Sequence, residues 1–319
     1  MTDEVTGRFA FVARRVVSLV PLVLGILLLA MLLLSLAPGN PARNVTGPRA
    51  SQGEVDKVAH QLGLDQPVWE RYLHYVGKVS TGDLGTSLKT GQRVSGQIAS
   101  QLPVTLSIAV LGVLIALVAS VLLAIAAARR PDGIVDQAVR LIAVLGIGLP
   151  TFWVAIMAIR LIALPTGWFP VAGVGQGLLE HLRSYVLPAV VVGISTMAPM
   201  IRSLRATMIE LYEAEFVLAA RTLGFSGPSL VVGFQLRNAV PPLITVAAAQ
   251  AGYALFGTVV VEVAFGLPGM GQGLATAAST QDFPLVQGYV IVFAVMIVLI
   301  YLFTDVINSI VDPRVRITA

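Results

Sequence analysis

The chain has no cysteine, only three histidines and three lysines, and a charged fraction of 12% over 319 residues. Without thiols it can form neither disulfides nor thiolate metal sites, and any extracytoplasmic part must fold on packing alone. His60, His74 and His181 stand far apart in polar segments, so they read as exposed or interfacial and not as a metal or catalytic cluster. No Gly-x-x-x-x-Gly-Lys-Ser/Thr run occurs, because the one Gly-Lys pair, at Gly77 and Lys78, is followed by Val79; a nucleotide-binding P-loop is excluded. An intramembrane protease would need a Ser and His, or two aspartates, at matching depth in the spans, and none is evident. What the chain has in excess is apolar surface: 56% of its residues are hydrophobic and its mean hydropathy is +0.85. An ordinary soluble domain does not carry that composition, so the chain reads as an all-α integral membrane protein.

Six apolar runs are long enough to cross a bilayer. They are expected at residues 16–37, 103–128, 137–164, 185–201, 239–264 and 285–310, with Pro150 and the Gly146-Ile147-Gly148 run kinking the third. The first run exceeds a usual signal-peptide core, and Arg14-Arg15 lacks the rest of a twin-arginine motif, so an uncleaved first span is expected. Arg129, Arg130, Arg140, Arg202, Arg205, Arg221, Arg237, Arg314 and Arg316 all fall with Arg14 and Arg15 on one side of the six-span arrangement. By the positive-inside rule both termini (1–15 and 311–319) and the central loop 202–238 are cytoplasmic. Arg160, within a turn or two of a span end, reads as snorkelling to the interface, beside the interfacial pair Trp168-Phe169.

Residues 38–102 form the one extended polar region and read as a small helical extracytoplasmic cap. Ser51 followed three residues later by Glu54 is a capping-box pattern, and a second helix from Pro67 places Trp69, Tyr72 and Val76 on one side. After the fifth run, Gly269, Gly271 and Gly273 follow a hydrophobic helix and no strand, and no lysine accompanies them; they read as a re-entrant external turn and not a phosphate loop.

Residues 201–243 make the longest polar interruption in the second half. From 206 to 223 they are strong helix formers, Gly224 supplies a helix stop, and Pro241-Pro242 sit where a new helix takes its first residues. Read alone, this amphipathic stretch could also lie on the membrane surface. Phe216, the pair Ala219-Ala220, Arg221 and Gly224, followed by Gln235, Arg237, Asn238 and Pro242, resemble the cytoplasmic loop of binding-protein-dependent ABC importer permeases, oligopeptide and dipeptide branch. Leu218 stands where the general signature carries an acidic residue. The same branch is matched by Pro38 to Pro41, Leu62 to Pro67, Gly82-Asp83-Leu84-Gly85-Thr86-Ser87, the Glu262 to Gly271 run and Asp312-Pro313-Arg314-Val315-Arg316, so the resemblance covers nearly the whole chain.

That resemblance implies the type I importer permease fold, a non-catalytic subunit of the bacterial inner membrane, and alternating access. It implies a second homologous permease, one or two ABC ATPase subunits that bind ATP and Mg, an extracytoplasmic solute-binding protein and a peptide substrate, with no cofactor in this chain and no nucleic acid. Glu215, Phe216, Ala219, Ala220, Arg221 and Gly224 are then the candidate ATPase contact, and Gly266, Pro268, Gly269 and Gly271 the external loop. Gln250 and Tyr253 are pathway candidates because polar groups within a span tend to face protein or water, although hydrogen bonding between helices would serve them equally. Relatives of the branch also carry nickel or other small solutes. A self-sufficient secondary transporter or channel is the alternative class, and it would favour membrane-buried carboxylates or inverted repeats; Glu262 and Asp305 lie near span ends and no clear repeat is found.

Overall fold

Apolar runs uninterrupted by polar groups leave the backbone no partner but itself inside a bilayer, and a helix satisfies every donor within its own segment. The computed structural model describes residues 20–21, 23–32, 41–47, 49–61, 63–175 and 177–311. Among these the regular structure is helical, apart from one isolated antiparallel bridge between Thr86 and Arg93. The expected N-terminal arginines, the break at 38–40 and the 312–316 run lie outside the described residues.

The helices in chain order are α1 (Val23–Leu32), α2 (Pro41–Thr46), α3 (Gln52–Gln61), α4 (Val68–Ser80), α5 (Val94–Ala128), α6 (Ile134–Gly148) and α7 (Thr151–Ala158). A π-helical turn at Ile159–Ala163 leads into α8 (Leu164–Thr166), then α9 (Leu178–Tyr212), α10 (Glu215–Thr222) and α11 (Gly227–Leu230). A second π-helical turn, Val231–Leu236, precedes α12 (Arg237–Ala264), and α13 (Met270–Ser279) and α14 (Phe283–Val311) complete the set. Four stretches are long and apolar enough to cross a membrane: α5, Leu179–Tyr212 of α9, Val231–Ala264 and Phe283–Ile307 of α14. A fifth exists if α6 and the Thr151–Thr166 segment count as one broken span.

Several boundaries differ from the sequence expectation. The third span is no kinked rod: Leu149 is extended (φ −88°, ψ 122°) and the two pieces meet at 106°. Pro150 causes this, since its ring disfavours the helical region for the residue before it. The second span begins at Val94 with Pro103 inside it, and the fourth runs on to Tyr212 with Pro188 and Pro199 inside, well past residue 201.

The chain divides into two units, drawn from Met1–Pro103 with Gly269–Leu299, and from Val104–Pro268 with Ile300–Ala319. Within the second unit α9 packs on α6, α7 and α12, and its contact with α5 depends on a missing side chain. A methyl on Gly112 would fall 2.8 Å from Val192 Cγ1 and 3.2 Å from the Ala189 carbonyl oxygen, so only glycine permits this helix–helix distance.

In the first unit, the capping box expected at α3 is formed. Ser51 donates its N–H (2.8 Å) and hydroxyl (2.9 Å) to Glu54 Oε2, and these bonds hold the Glu54 carboxyl below its ordinary range. On α4 the expected face is split. Tyr72 is half-buried and donates to the Leu24 carbonyl at 2.9 Å, whereas Trp69 is 62% exposed and shares the outer face with Leu73. Burial pushes the Tyr75 phenol up on the inner face. A further node joins distant parts of this unit. Asp282, fully buried, accepts the Ser87 hydroxyl (2.5 Å) and the Leu88 N–H (3.1 Å) while capping α14 through the Leu285 N–H (3.4 Å). Nearby Tyr289 donates to Gln101 Oε1 at 2.6 Å, and a methyl on Gly273 would meet both groups at 2.3 Å.

Candidate functional site

The helix expected over 206–223 is two helices. α9 ends at Tyr212, Glu213 closes its last turn, and Ala214 is extended (φ −66°, ψ 138°) as the first cap of α10. Local propensity favours one rod through Leu211-Tyr212-Glu213-Ala214-Glu215; packing overrides it. The break turns Val217 and Ala220 inward, where they are buried with Leu230 against Phe234.

At its other end α10 stops as the glycine requires. Gly224 sits at φ +92°, its N–H bonds the Arg221 carbonyl at 2.9 Å, and the Phe225 N–H reaches back to the Ala220 carbonyl at 3.1 Å. This is the Schellman arrangement, and only a residue without Cβ takes that φ cheaply. Phe225 then meets Phe234 edge-on at 5.1 Å. The opposite face of α10 is open: Glu215, Phe216, Leu218 and Ala219 are exposed, and Leu223 is 78% exposed. Of the candidate alanine pair, therefore, Ala219 is presented and Ala220 belongs to the inner face. Arg221 folds back on α9, with its guanidinium 3.7 Å from the Tyr212 ring centroid and Nη2 3.4 Å from the Tyr212 carbonyl.

Beyond the turn, α11, the π-helical turn and α12 follow one another without a loop, so Pro241 and Pro242 lie inside α12 and do not start it. Their missing donors fall just after the wider π turn, where the regular ladder is already interrupted.

An ion cluster around one buried carboxylate anchors the α9 extension. Asp136, at the start of α6 and wholly buried, accepts both Nε and Nη2 of Arg205, the latter at 2.7 Å. Arg140 Nη2 lies 3.3 Å from the same carboxylate, and the Asp132 N–H donates to it at 2.9 Å. A fork-to-carboxylate pair of this kind is both strong and directional. Sequence reading passed over Asp136, used Arg205 only for orientation and Ser87 only as the end of the Gly82 to Ser87 run, and gave Asp282 no role. An acidic residue in the first turn of α6, and Asp282-Phe283-Pro284 as a helix-start pattern, were the available signals.

The pathway candidates separate. Gln250 is buried, while Tyr253 is 68% exposed and lies in an outward stripe with Phe256, Val260 and Val263. Glu262 is wholly buried just before α12 ends. The loop expected to be external is built as a second glycine turn: Gly266 is at φ +56°, the Leu267 N–H bonds the Glu262 carbonyl at 2.9 Å, and the Phe265 carbonyl accepts the Gly173 N–H at 3.1 Å. Pro268 is exposed, Gly269 is extended as the cap of α13, and Gly271 is buried, so a short helix follows where a re-entrant turn was expected. Arg160 is exposed within the first π-helical turn. No group of three or more metal-ligating side chains occurs among the described residues.

The sequence profile of the family described as binding-protein-dependent transport system inner membrane component matches residues 120–317, and that of its N-terminal part matches residues 8–109. The chain is a member of that family of multi-pass inner-membrane transport permeases. It is 32% identical over 331 residues to the di/tripeptide transport system permease protein DppB of Pseudomonas aeruginosa, covering 96% of this chain and 98% of that one. The oligopeptide transport system permease protein AppB of Bacillus subtilis is 30% identical over 313 residues, at 96% and 99% coverage. The glutathione transport system permease protein GsiC of Salmonella choleraesuis is 32% identical over 306 residues, at 96% and 98% coverage.

Proposed function

We propose that this chain is a membrane permease subunit of an ATP-driven ABC importer that passes di- and oligopeptides from an external binding protein into the cytoplasm. The observation that carries the reading is α10: Phe216, Leu218, Ala219 and Leu223 form an exposed apolar helix face in an arginine-rich loop. A chain without a P-loop must draw on another subunit for ATP hydrolysis, and an ABC ATPase is the occupant this face awaits. ATP and Mg belong to that partner.

The finer arrangement follows from the same reading. Six spans, the first containing α1 and the third broken at Leu149-Pro150, place both termini and α10 in the cytoplasm and residues 38–102 outside. Residues 38–102 and the loop from Phe265 to Asp282 each contribute part of the outer surface that receives the binding protein. Tyr253, outward on α12, lines a passage completed by a second, homologous permease, and Gln250 supports it from within the bundle. The peptide assignment draws on the three relatives named for di/tripeptide, oligopeptide and glutathione transport.

The test is uptake by the reconstituted complex, with its ATPases and binding protein, across labelled dipeptides, longer peptides, glutathione and nickel chelates. ATP-dependent uptake of peptides is expected. Uptake of chelates alone would replace the substrate class, and transport by this chain without ATP or partners would overturn the mechanism.

A further inference from the structure

Two side-chain contacts lie in series along one route. Arg221 of α10 stacks on Tyr212, the last residue of α9. About 10 Å back along α9, two turns and therefore on the same face, Arg205 grips Asp136 of α6 through both nitrogens. The carboxylate is wholly buried and is held further by the Asp132 N–H and by Arg140. The backbone between these contacts is continuous helix from Arg205 to Tyr212, whereas between α9 and α10 it passes through Glu213 and the extended Ala214. A break at Ala214 lets α10 swing relative to α9 except where side chains bridge it, and Arg221 on Tyr212 is a polar bridge added to the apolar packing of α10 on Leu230 and Phe234.

We propose that Arg221 on Tyr212 and Arg205 on Asp136 are paired clasps that make α10, the end of α9 and the start of α6 move as one body. This rests on the reading of α10 as the ATPase contact. A stroke delivered to α10 then reaches two spans at once, through α9 directly and through α6 by way of the carboxylate. Asp136 is a positioning residue, acting through Arg205 and touching no substrate.

Nitroxide labels on Ala138→Cys of α6 and Glu210→Cys of α9 test the Arg205–Asp136 clasp in the assembled complex. Both positions are exposed and this chain has no other cysteine; those of the partner subunits are replaced first. With the clasps intact, the distance distribution is narrow and the same with and without ATP. With Asp136→Asn it broadens on ATP binding, and uptake per ATP hydrolysed falls about fivefold or more while hydrolysis continues. Arg205→Lys, which keeps the charge and loses the fork, falls between; it also serves if Asp136→Asn does not insert. Labels that separate between states in the otherwise unaltered chain overturn the proposal. So does an Asp136→Asn complex with unchanged distribution and unchanged uptake per ATP. Failure of the ATPase to co-purify with the unaltered chain would instead sink the reading of α10, whereas a narrow, Asp136-dependent distribution would remain the mark of the clasp.

Discussion

The glycine turns that end α10 and α12 share one hydrogen-bond pattern and part company at the next residue. Both put glycine at positive φ, +92° at Gly224 and +56° at Gly266, and both send the following N–H back to a carbonyl five residues earlier. After Gly224 comes Phe225, 43% exposed; after Gly266 comes Leu267, 1% exposed. The turn after α12 is flanked by buried Phe265 and Leu267, so it contributes to the bundle's own stability. The turn at α10 buries Val217 and Ala220 and leaves Phe216, Leu218 and Leu223 outward. The same local device therefore serves packing in one place and presentation in the other.

Exchanging the glycines should break the symmetry most sharply. Gly224→Val forces a β-branched residue to φ +92°, where no neighbour blocks it and only the backbone objects. Uptake is expected to fall more than about tenfold with membrane levels kept, because coupling energies of ~1–3 kcal/mol suffice for that. Gly266→Val should instead lower the yield and melting temperature of detergent-purified protein; the reverse pattern would refute the contrast. Next in size, Leu267→Ala should cost ~2–5 kcal/mol as a buried leucine truncation. Leu223→Ser should leave thermal stability within about 0.5 kcal/mol and weaken co-purification of the ATPase.

Asp282, before α14, sharpens the comparison from elsewhere in the chain. Asp282→Ala leaves the Ser87 hydroxyl and the Leu88 N–H without their acceptor, at ~1–3 kcal/mol for each unsatisfied group. Proteolysis within residues 82–93 should accelerate, and Asp282→Asn should fall between. The smallest effect is an exposed control. The Glu54 carboxyl is held low by the Ser51 N–H, so its contribution is present above the unfolded pKa of about 4.3 and is lost as pH falls through the lower folded value. Amide exchange at the start of α3 should differ between Glu54→Gln and the parent at pH 7, and the difference should shrink as the pH falls and the parent carboxyl takes up its proton; a pH-independent difference would refute the carboxylate's role.

What could be read from the chain was what depends on near neighbours. Apolar runs announced the four or five helices long enough to cross a membrane, Gly224 announced its own turn because φ is a single-residue property, and Ser51 with Glu54 announced a box whose members are three residues apart. The π turn before Pro241 and the break at Ala214 were not legible, because helix-forming composition persists through both. Neither was the sorting of Ala219 from Ala220, or of Tyr253 from Gln250, since in helices that are apolar on most faces periodicity does not say which side is buried.

By itself, then, the sequence determined a helical membrane permease with a glycine-ended helix in its arginine-rich loop. Only the tertiary structure decided which face of that helix is open and what restrains it. Asp136 meets Arg205 across 69 positions and Ser87 meets Asp282 across 195. Such pairs form because folding brings otherwise costly buried charges and donors together, and no local pattern records which partner a buried carboxylate will find.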